Sequence, residues 1–207
     1  MIDRIRWLGH GSFVIDGPPL IYINPWRVTR GSRSADIILI SHDHYDHCSL
    51  ADIDKLRGAE TRIIGNERVA REIGDCLVLR PWQSVTLDRT CIKAVPAYSP
   101  QDFRHPLTDG GLGFVISVNY YDIYYAGDTQ AIPEMACIRP DIAILPIDGN
   151  GTLTVLEAAQ VAKQMRPKWV IPCNWGQGVG ATWLEAQMFA SAVESDSEVL
   201  ILQAIQN

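Results

Sequence analysis

Apolar residues in the first third of this chain come in short bursts broken by glycine and proline, a pattern of strands rather than helices. Residues 5–8, 12–15 and 20–23 predict extended segments, separated by Gly9, Gly11, Gly17, Pro18 and Pro19. Residues 36–41 enclose four consecutive apolar positions, Ile37 to Ile40, which predicts a strand buried on both faces. Ser49 is placed to cap a helix that turns Leu50, Ile53 and Leu56 inward. A strand at 62–64 follows, then a short helix from Asn66 that stops near Gly74.

The middle of the chain returns to strands, around Val85 and at 92–95, 114–118, 123–126 and 142–145. Helical periodicity appears later. Thr154-Val155-Leu156-Glu157 is a capping box, after which Val155, Ala158, Ala162 and Met165 fall on one face and Pro167 stops the helix. Thr182-Trp183-Leu184-Glu185 repeats the device, with Leu184, Met188 and Ala192 on one face. Strands at 169–171 and 199–202 flank that second helix. Two strand-rich halves, each trailing helices, predict two sheets packed together with helices outside. No low-complexity tract or linker interrupts the chain, so residues 1–207 read as a single domain, long enough for a full core.

Charge narrows the partners. Eighteen Lys and Arg face 24 Asp and Glu, a net of −6, and no stretch concentrates the basic residues. A duplex-binding surface needs a basic stripe to displace counterions, so nucleic acid is not expected. The longest apolar runs are strand-sized, too short to span a bilayer, and no signal peptide is expected at the N-terminus. Five scattered cysteines without a Cys-x-x-Cys pair fit the reducing cytoplasm better than a disulfide framework. Trp26, Trp82, Tyr120, Tyr121 and Trp175 are candidates to line a homo-oligomer interface or a substrate cleft, with Trp175 assigned to the cleft.

The chemistry concentrates in His42-Asp43-His44-Tyr45-Asp46-His47, directly after the doubly buried strand. Residues two apart in extended chain point the same way, so His42 and His44 suit one metal ion. Asp46 and His47 are neighbours and point differently, which suits a second ion beside the first. Imidazole and carboxylate are ligands for zinc, and for manganese or iron as carboxylates become more numerous. Asp128, at a strand end behind Gly127, either bridges two ions or caps the next turn.

These pieces resemble the metallo-β-lactamase-fold superfamily, in the branch of small metal-dependent hydrolases similar to L-ascorbate-6-phosphate lactonase and N-acyl-phosphatidylethanolamine phospholipase D. The resemblance is carried by Trp7-Leu8-Gly9-His10-Gly11-Ser12-Phe13, Tyr22-Ile23-Asn24-Pro25-Trp26 and the histidine run. It continues through Val95-Pro96-Ala97-Tyr98, Gly113-Phe114-Val115-Ile116, Tyr125-Ala126-Gly127-Asp128-Thr129 and Leu145-Pro146-Ile147, in family order over nearly the whole chain. It implies an α/β four-layer αββα sandwich with the metals at one edge of the two sheets. By carry-over, His42 and His44 are ligands of a first ion, Asp46 and His47 of a second, and Asp128 bridges them.

Family enzymes usually supply two further histidines, and here the chain departs from the pattern. Tyr98 and Asn174 stand at those places, leaving only His10 and His105 to compensate. His105 either turns inward as a ligand or is a solvated loop histidine. His10 is a ligand, a partner behind the ligands, a substrate contact, or a hydrogen-bonded turn histidine. Asn174 offers one neutral oxygen, a weaker ligand than imidazole, which predicts a second site of reduced affinity. Asp148 and Cys173 are expected to pack behind the centre.

The implied activity is hydrolysis of a small-molecule ester, lactone, amide or phosphodiester by a metal-bound hydroxide, with one or two zinc ions as cofactor. Asp46 would orient the nucleophile and move its proton, and Tyr98 or His10 would hydrogen-bond the developing anion. The alternative is a single-metal or metal-depleted regulatory protein on the same fold, motivated by the two missing histidines. A di-iron oxidoreductase is disfavoured, because such proteins characteristically carry glutamate where this chain has His44.

Overall fold

Two mixed sheets, assembled in the same way from successive halves of the chain, meet face to face. The computed structural model describes residues 1–176, 180–193 and 196–205. The first sheet begins with an antiparallel meander of β1 (Ile5–Gly9), β2 (Ser12–Ile15) and β3 (Ile21–Ile23). It continues with parallel β4 (Ile37–Leu39), β5 (Arg62–Gly65) and β6 (Leu77–Val78), in order 1-2-3-4-5-6. The second sheet repeats the plan. Antiparallel β7 (Ser84–Leu87), β8 (Thr90–Pro96), β9 (Leu112–Val118) and β10 (Tyr121–Tyr125) lead into parallel β11 (Ile142–Pro146), β12 (Trp169–Cys173) and β13 (Glu198–Val199).

Parallel neighbours need crossovers, and helices supply most of them. α1 (Leu50–Leu56) and α2 (Glu67–Ile73) follow β4 and β5; α3 (Val155–Met165) and α4 (Trp183–Val193) follow β11 and β12. Side-chain alternation sorts the layers. Ile21, Ile23, Ile37 and Leu39 join Ile92, Phe114, Ile116 and Ile144 in the core between the sheets. The intervening Tyr22 and Ile38 pack outward with Ile53 and Leu56 of α1 and Val69 of α2. Each such side chain, when fully buried, contributes about 1.5–3 kcal/mol. With α3 and α4 over the second sheet, the result is the αββα sandwich.

Three local expectations are corrected. Leu50 is exposed, because Asp52 takes the inward side of α1 and accepts the backbone N–H groups of Arg27 and Val28. On α4, Leu184 and Met188 face outward while Ala186, Phe189 and Val193 are buried; two apolar stripes compete, and the one holding the aromatic ring turns in. Residues 200–202 are not strand, and the chain beyond them crosses to the first sheet, where Ile205 N–H donates to the Trp7 carbonyl. Among the described residues no helix is long and apolar enough to cross a membrane.

Candidate metal centre

β4 delivers the histidine run to one edge of the sandwich, where a tight turn splits it. The N–H groups of His47 and Cys48 both donate to the His44 carbonyl, so Asp46 and His47 swing to the side opposite His44. His42 stays central, its ring centroid 4.6 Å from that of His44 and 4.3 Å from that of His47. Asn24 fixes the run from behind. Held in the left-handed region (φ 45°), it accepts Ser41 N–H at 2.8 Å and donates to Ser41 Oγ at 2.8 Å. Ser41 Oγ in turn lies 2.9 Å from His42 Nδ1, leaving Nε2 as the free end of that ring.

His105 turns inward from the loop between β8 and β9. Its Nδ1 lies 3.1 Å from the Gly151 carbonyl, which can only accept, so Nδ1 carries the proton and Nε2 presents a lone pair. His42, His44 and His105 offer three ligand nitrogens within 4.8 Å of one another. Arg68 clamps the two segments that supply them, binding Asp43 of the histidine run at 2.9 Å and Asp109 beyond His105 at 2.7 Å. Asn66 Nδ2 adds a bond to the Gly110 carbonyl at 2.9 Å.

A second group forms from His10, Asp46 and His47, again within 4.8 Å. The Asp46 carboxylate lies between the two rings, with Oδ2 3.1 Å from His10 Nε2 and Oδ1 3.2 Å from His47 Nδ1. His10 sits in the β1–β2 turn at φ 50°, its carbonyl accepting from Trp7 Nε1 and from Asn174 N–H. Gly11 makes the close packing permissible, since a Cβ there would meet His47 Nε2 at 2.7 Å.

Asp128 stands between the groups at the end of β10. Its Oδ2 lies 3.9 Å from His42 Nε2 and 3.5 Å from His105 Nε2, and its Oδ1 3.4 Å from His47 Nε2. The left-handed Gly127 (φ 72°) permits this position, for a Cβ there would strike the Leu112 carbonyl at 2.6 Å. Burial opposes the Asp128 charge, but His47, His42 and His105 outweigh it and hold the carboxyl well below its usual range. Burial also opposes a charged His47, and Asp128 with Asp46 raises that imidazole to about 10. His42 moves the other way, lowered by burial and then by His47.

The nitrogens His10 Nδ1, His42 Nε2, His47 Nε2 and His105 Nε2 are all buried without a hydrogen-bond partner. Such atoms cost free energy unless something accepts their lone pairs or protons. A cation placed among them, with Asp46 and Asp128 alongside, answers that need, so the donor set fits a metal.

The structure thus brings together His10, His42, His44, Asp46, His47, His105 and Asp128. Tyr98 goes elsewhere, its hydroxyl donating to the Glu134 carboxylate at 3.2 Å. Asn174 reaches the centre, but its Nδ2 donates to Asp128 Oδ1 at 3.0 Å. The amide thereby steadies the carboxylate, while its Oδ1 is buried without a hydrogen-bond partner, like the ring nitrogens. The weak second site was expected on the premise that Asn174 was a ligand there; His10, with Nε2 3.1 Å from Asp46 Oδ2, is a further candidate for that group. Trp175 is corrected from the cleft to the core, stacked 4.7 Å from Trp7. Cys173 is buried and Asp148 accepts from Thr152 Oγ1, both packing behind the edge. Asn24, Ser41 and Arg68 have no role assigned from sequence, although Asn24 lies in the motif Tyr22-Ile23-Asn24-Pro25-Trp26 and Ser41 directly precedes His42.

Comparison with known proteins gives the family and the fold. The family described as the beta-lactamase superfamily domain matches residues 4–174. A UPF0173 metal-dependent hydrolase of Thermococcus onnurineus (strain NA1) is 30% identical over 221 residues, covering 97% of this chain and 96% of that protein. The crystal structure of a candidate metal-dependent hydrolase from Parabacteroides distasonis ATCC 8503 is 31% identical, with a TM-score of 0.87 over 96% of this chain and 93% of that one. Igni18, a metallo hydrolase from Ignicoccus hospitalis KIN4/I, shares the fold at 22% identity and a TM-score of 0.77, over 97% and 94% of the two chains.

Proposed function

This chain belongs to the beta-lactamase superfamily, and we propose that it is a metal-dependent hydrolase acting on a small-molecule ester, lactone, amide or phosphodiester. The observation that carries the reading is the convergence of all five histidines of the chain on one edge, with four of their ring nitrogens buried and unpartnered around Asp46 and Asp128. His42, His44 and His105 would hold one ion and His10, Asp46 and His47 another, with one Asp128 oxygen toward each. Imidazole-rich sets with few carboxylates suit zinc first, and manganese or iron next.

A metal ion bound there supplies Lewis acidity, lowering the pKa of water and polarising the scissile carbonyl or phosphoryl group. The chain's own residues do the rest. Asp128, steadied by Asn174, keeps the two ligand groups in fixed relation. Asp46, between two imidazoles, orients the nucleophile and accepts its proton. His105 and His42 keep their free nitrogens aimed inward because their Nδ1 atoms face Gly151 and Ser41. The regulatory alternative rests on imidazoles missing at Tyr98 and Asn174; in this reading His105 and His10 would supply two from elsewhere in the chain.

The test is hydrolysis of generic ester, lactone and phosphodiester probes by protein loaded with zinc or manganese. Turnover abolished by His44→Ala is the expected result. Metal-loaded protein inert toward every probe class would contradict the proposal.

A further inference from the structure

The metal edge opens through a small cleft lined by His42, His44 and His105 but not by His10, Asp46 or His47. A roomier cavity, about 190 Å³, lies on the outer face of the first sheet, and no residue of the metal centre lines it. That is space for a ring the size of benzene. Strand alternation builds its floor. Arg6 lies opposite Val14, and Val14 opposite Tyr22, so the three side chains form one outward row across β1, β2 and β3. Leu8, Leu20 and Val28 complete an apolar base around Val14. The loop between β3 and β4 closes the cavity with Thr29, Ser32 and Arg33. α1 pins the root of that loop: Asp52 accepts the Arg27 and Val28 N–H groups at 2.8 and 3.0 Å, and Lys55 Nζ donates to the Val28 carbonyl at 2.8 Å. Within the loop, Ser32 Oγ donates to the Thr29 carbonyl at 3.1 Å.

The polar wall of this cavity carries an unbalanced charge. Arg6 gives Nε and Nη2 to Asp16, a matched pair. Among the described residues, Asp16 is the one carboxylate lining the cavity, and no carboxylate pairs with Arg33. Burial pushes the Tyr22 phenol above its usual range while Arg6 and Arg33 pull it down, so both guanidinium groups act on the same hydroxyl, beside Ser32. One excess cation over an apolar base suits a ligand with a single negative charge and a compact apolar body. A guanidinium meets a carboxylate with two parallel N–H bonds, whereas a dianion such as phosphate would outweigh the single excess cation. We infer that this cavity is a second ligand site, taking a small monocarboxylate with an aromatic or branched apolar body. The carboxylate lies against Arg33, beside the Tyr22 and Ser32 hydroxyls, and the body rests on Leu8, Val14, Leu20 and Val28. The site goes beyond the hydrolase reading and shares no residue with the metal centre.

Benzoate, benzamide and inorganic phosphate, titrated into the isotope-labelled chain and followed by amide chemical shifts, test this without relying on turnover. Benzoate is expected to shift the amides of Val14, Tyr22 and residues 28–33 along one saturable curve. Benzamide has the same shape without the charge, and is expected to bind there at least about tenfold more weakly, the scale of one hydrogen bond to a charged group. Phosphate is expected to bind there more weakly than benzoate. Arg33→Ala, at an exposed position, should weaken benzoate by about tenfold or more. His105→Ala, which alters the metal edge, should leave the benzoate affinity at residues 28–33 unchanged. Benzamide as tight as benzoate, phosphate tighter than benzoate, or an Arg33→Ala variant that binds benzoate like the parent would overturn the inference. So would benzoate shifts that are absent, confined to the metal edge, or lost in His105→Ala. Turnover of the ester, lactone and phosphodiester probes is a separate readout, so failure of this site and failure of the hydrolase reading are distinguishable.

Discussion

The two ligand groups meet at Asp128 and at the close rings of His42 and His47, yet they are built differently and only the first lines the cleft. His42, His44 and His105 offer only imidazoles and face the cleft. Two loops carry them, tied together by Arg68 across Asp43 and Asp109. His10, Asp46 and His47 include a carboxylate and lie behind, held by backbone contacts: His10 by Asn174 N–H and Trp7 Nε1, His47 by its fit over Gly11. An open group on clamped loops can receive a substrate oxygen without disturbing its neighbour. A group off the cleft that includes a carboxylate, the closed one of the two in that sense, is suited to holding a nucleophile in place. Under the proposed hydrolase function, the difference would give substrate binding to the first and nucleophile control to the second.

The comparison breaks most completely at the residue both groups share. Asp128→Asn should lower kcat/KM by at least on the order of a thousandfold, since it removes charge from both groups at once. Elemental analysis of the purified variant should find less metal than in the parent protein. Next come the single-group variants. His105→Ala and His10→Ala should each cost about a hundredfold in activity, and each should remove one ion, the first from the open group and the second from the closed one. Cobalt substitution followed by visible spectroscopy distinguishes them, and identical spectra would show that the two groups do not act separately.

Arg68→Ala should be milder and selective. Loosening the clamp should weaken metal binding in the open group by about tenfold, the usual scale for a residue that orients ligands from behind, and leave the closed group unchanged in a chelator titration. Equal weakening of both would mean that Arg68 merely supports the fold. The smallest effect is assigned to Tyr98→Phe. With its hydroxyl given to Glu134, its loss should alter kcat/KM by no more than about twofold, within the range of a surface hydrogen bond; a large fall in kcat would place the hydroxyl back at the reaction.

How far the centre could be read from sequence follows from how local each part is. His42, His44, Asp46 and His47 lie in one run after one buried strand, so residue type and alternation suffice to find them. Asp128 is one aspartate behind a glycine and gains weight only beside that run. The third member of each group is distant in the chain. Whether His105 turns inward depends on the Gly151 carbonyl, and whether His10 does depends on the hairpin that β1 and β2 form. Neither contact leaves a periodic trace. Asn174 shows a different limit: its identity was plain, but which end of its amide meets Asp128 is a matter of three-dimensional placement. The fold was legible for the same reason as the histidine run, because alternation in β2 to β4 sorts side chains into two cores. It misled on Leu50 and Leu184, where a buried carboxylate and a larger ring took the inward places.

The central claim is two ions on one shared carboxylate, and anomalous scattering from crystals of protein purified without chelator and then supplied with zinc addresses it directly. Two peaks are predicted, one among His42, His44 and His105 and one among His10, Asp46 and His47, with a different Asp128 oxygen facing each. A single peak, or an ion bound through Asn174 Oδ1 with His10 turned away, would contradict the account.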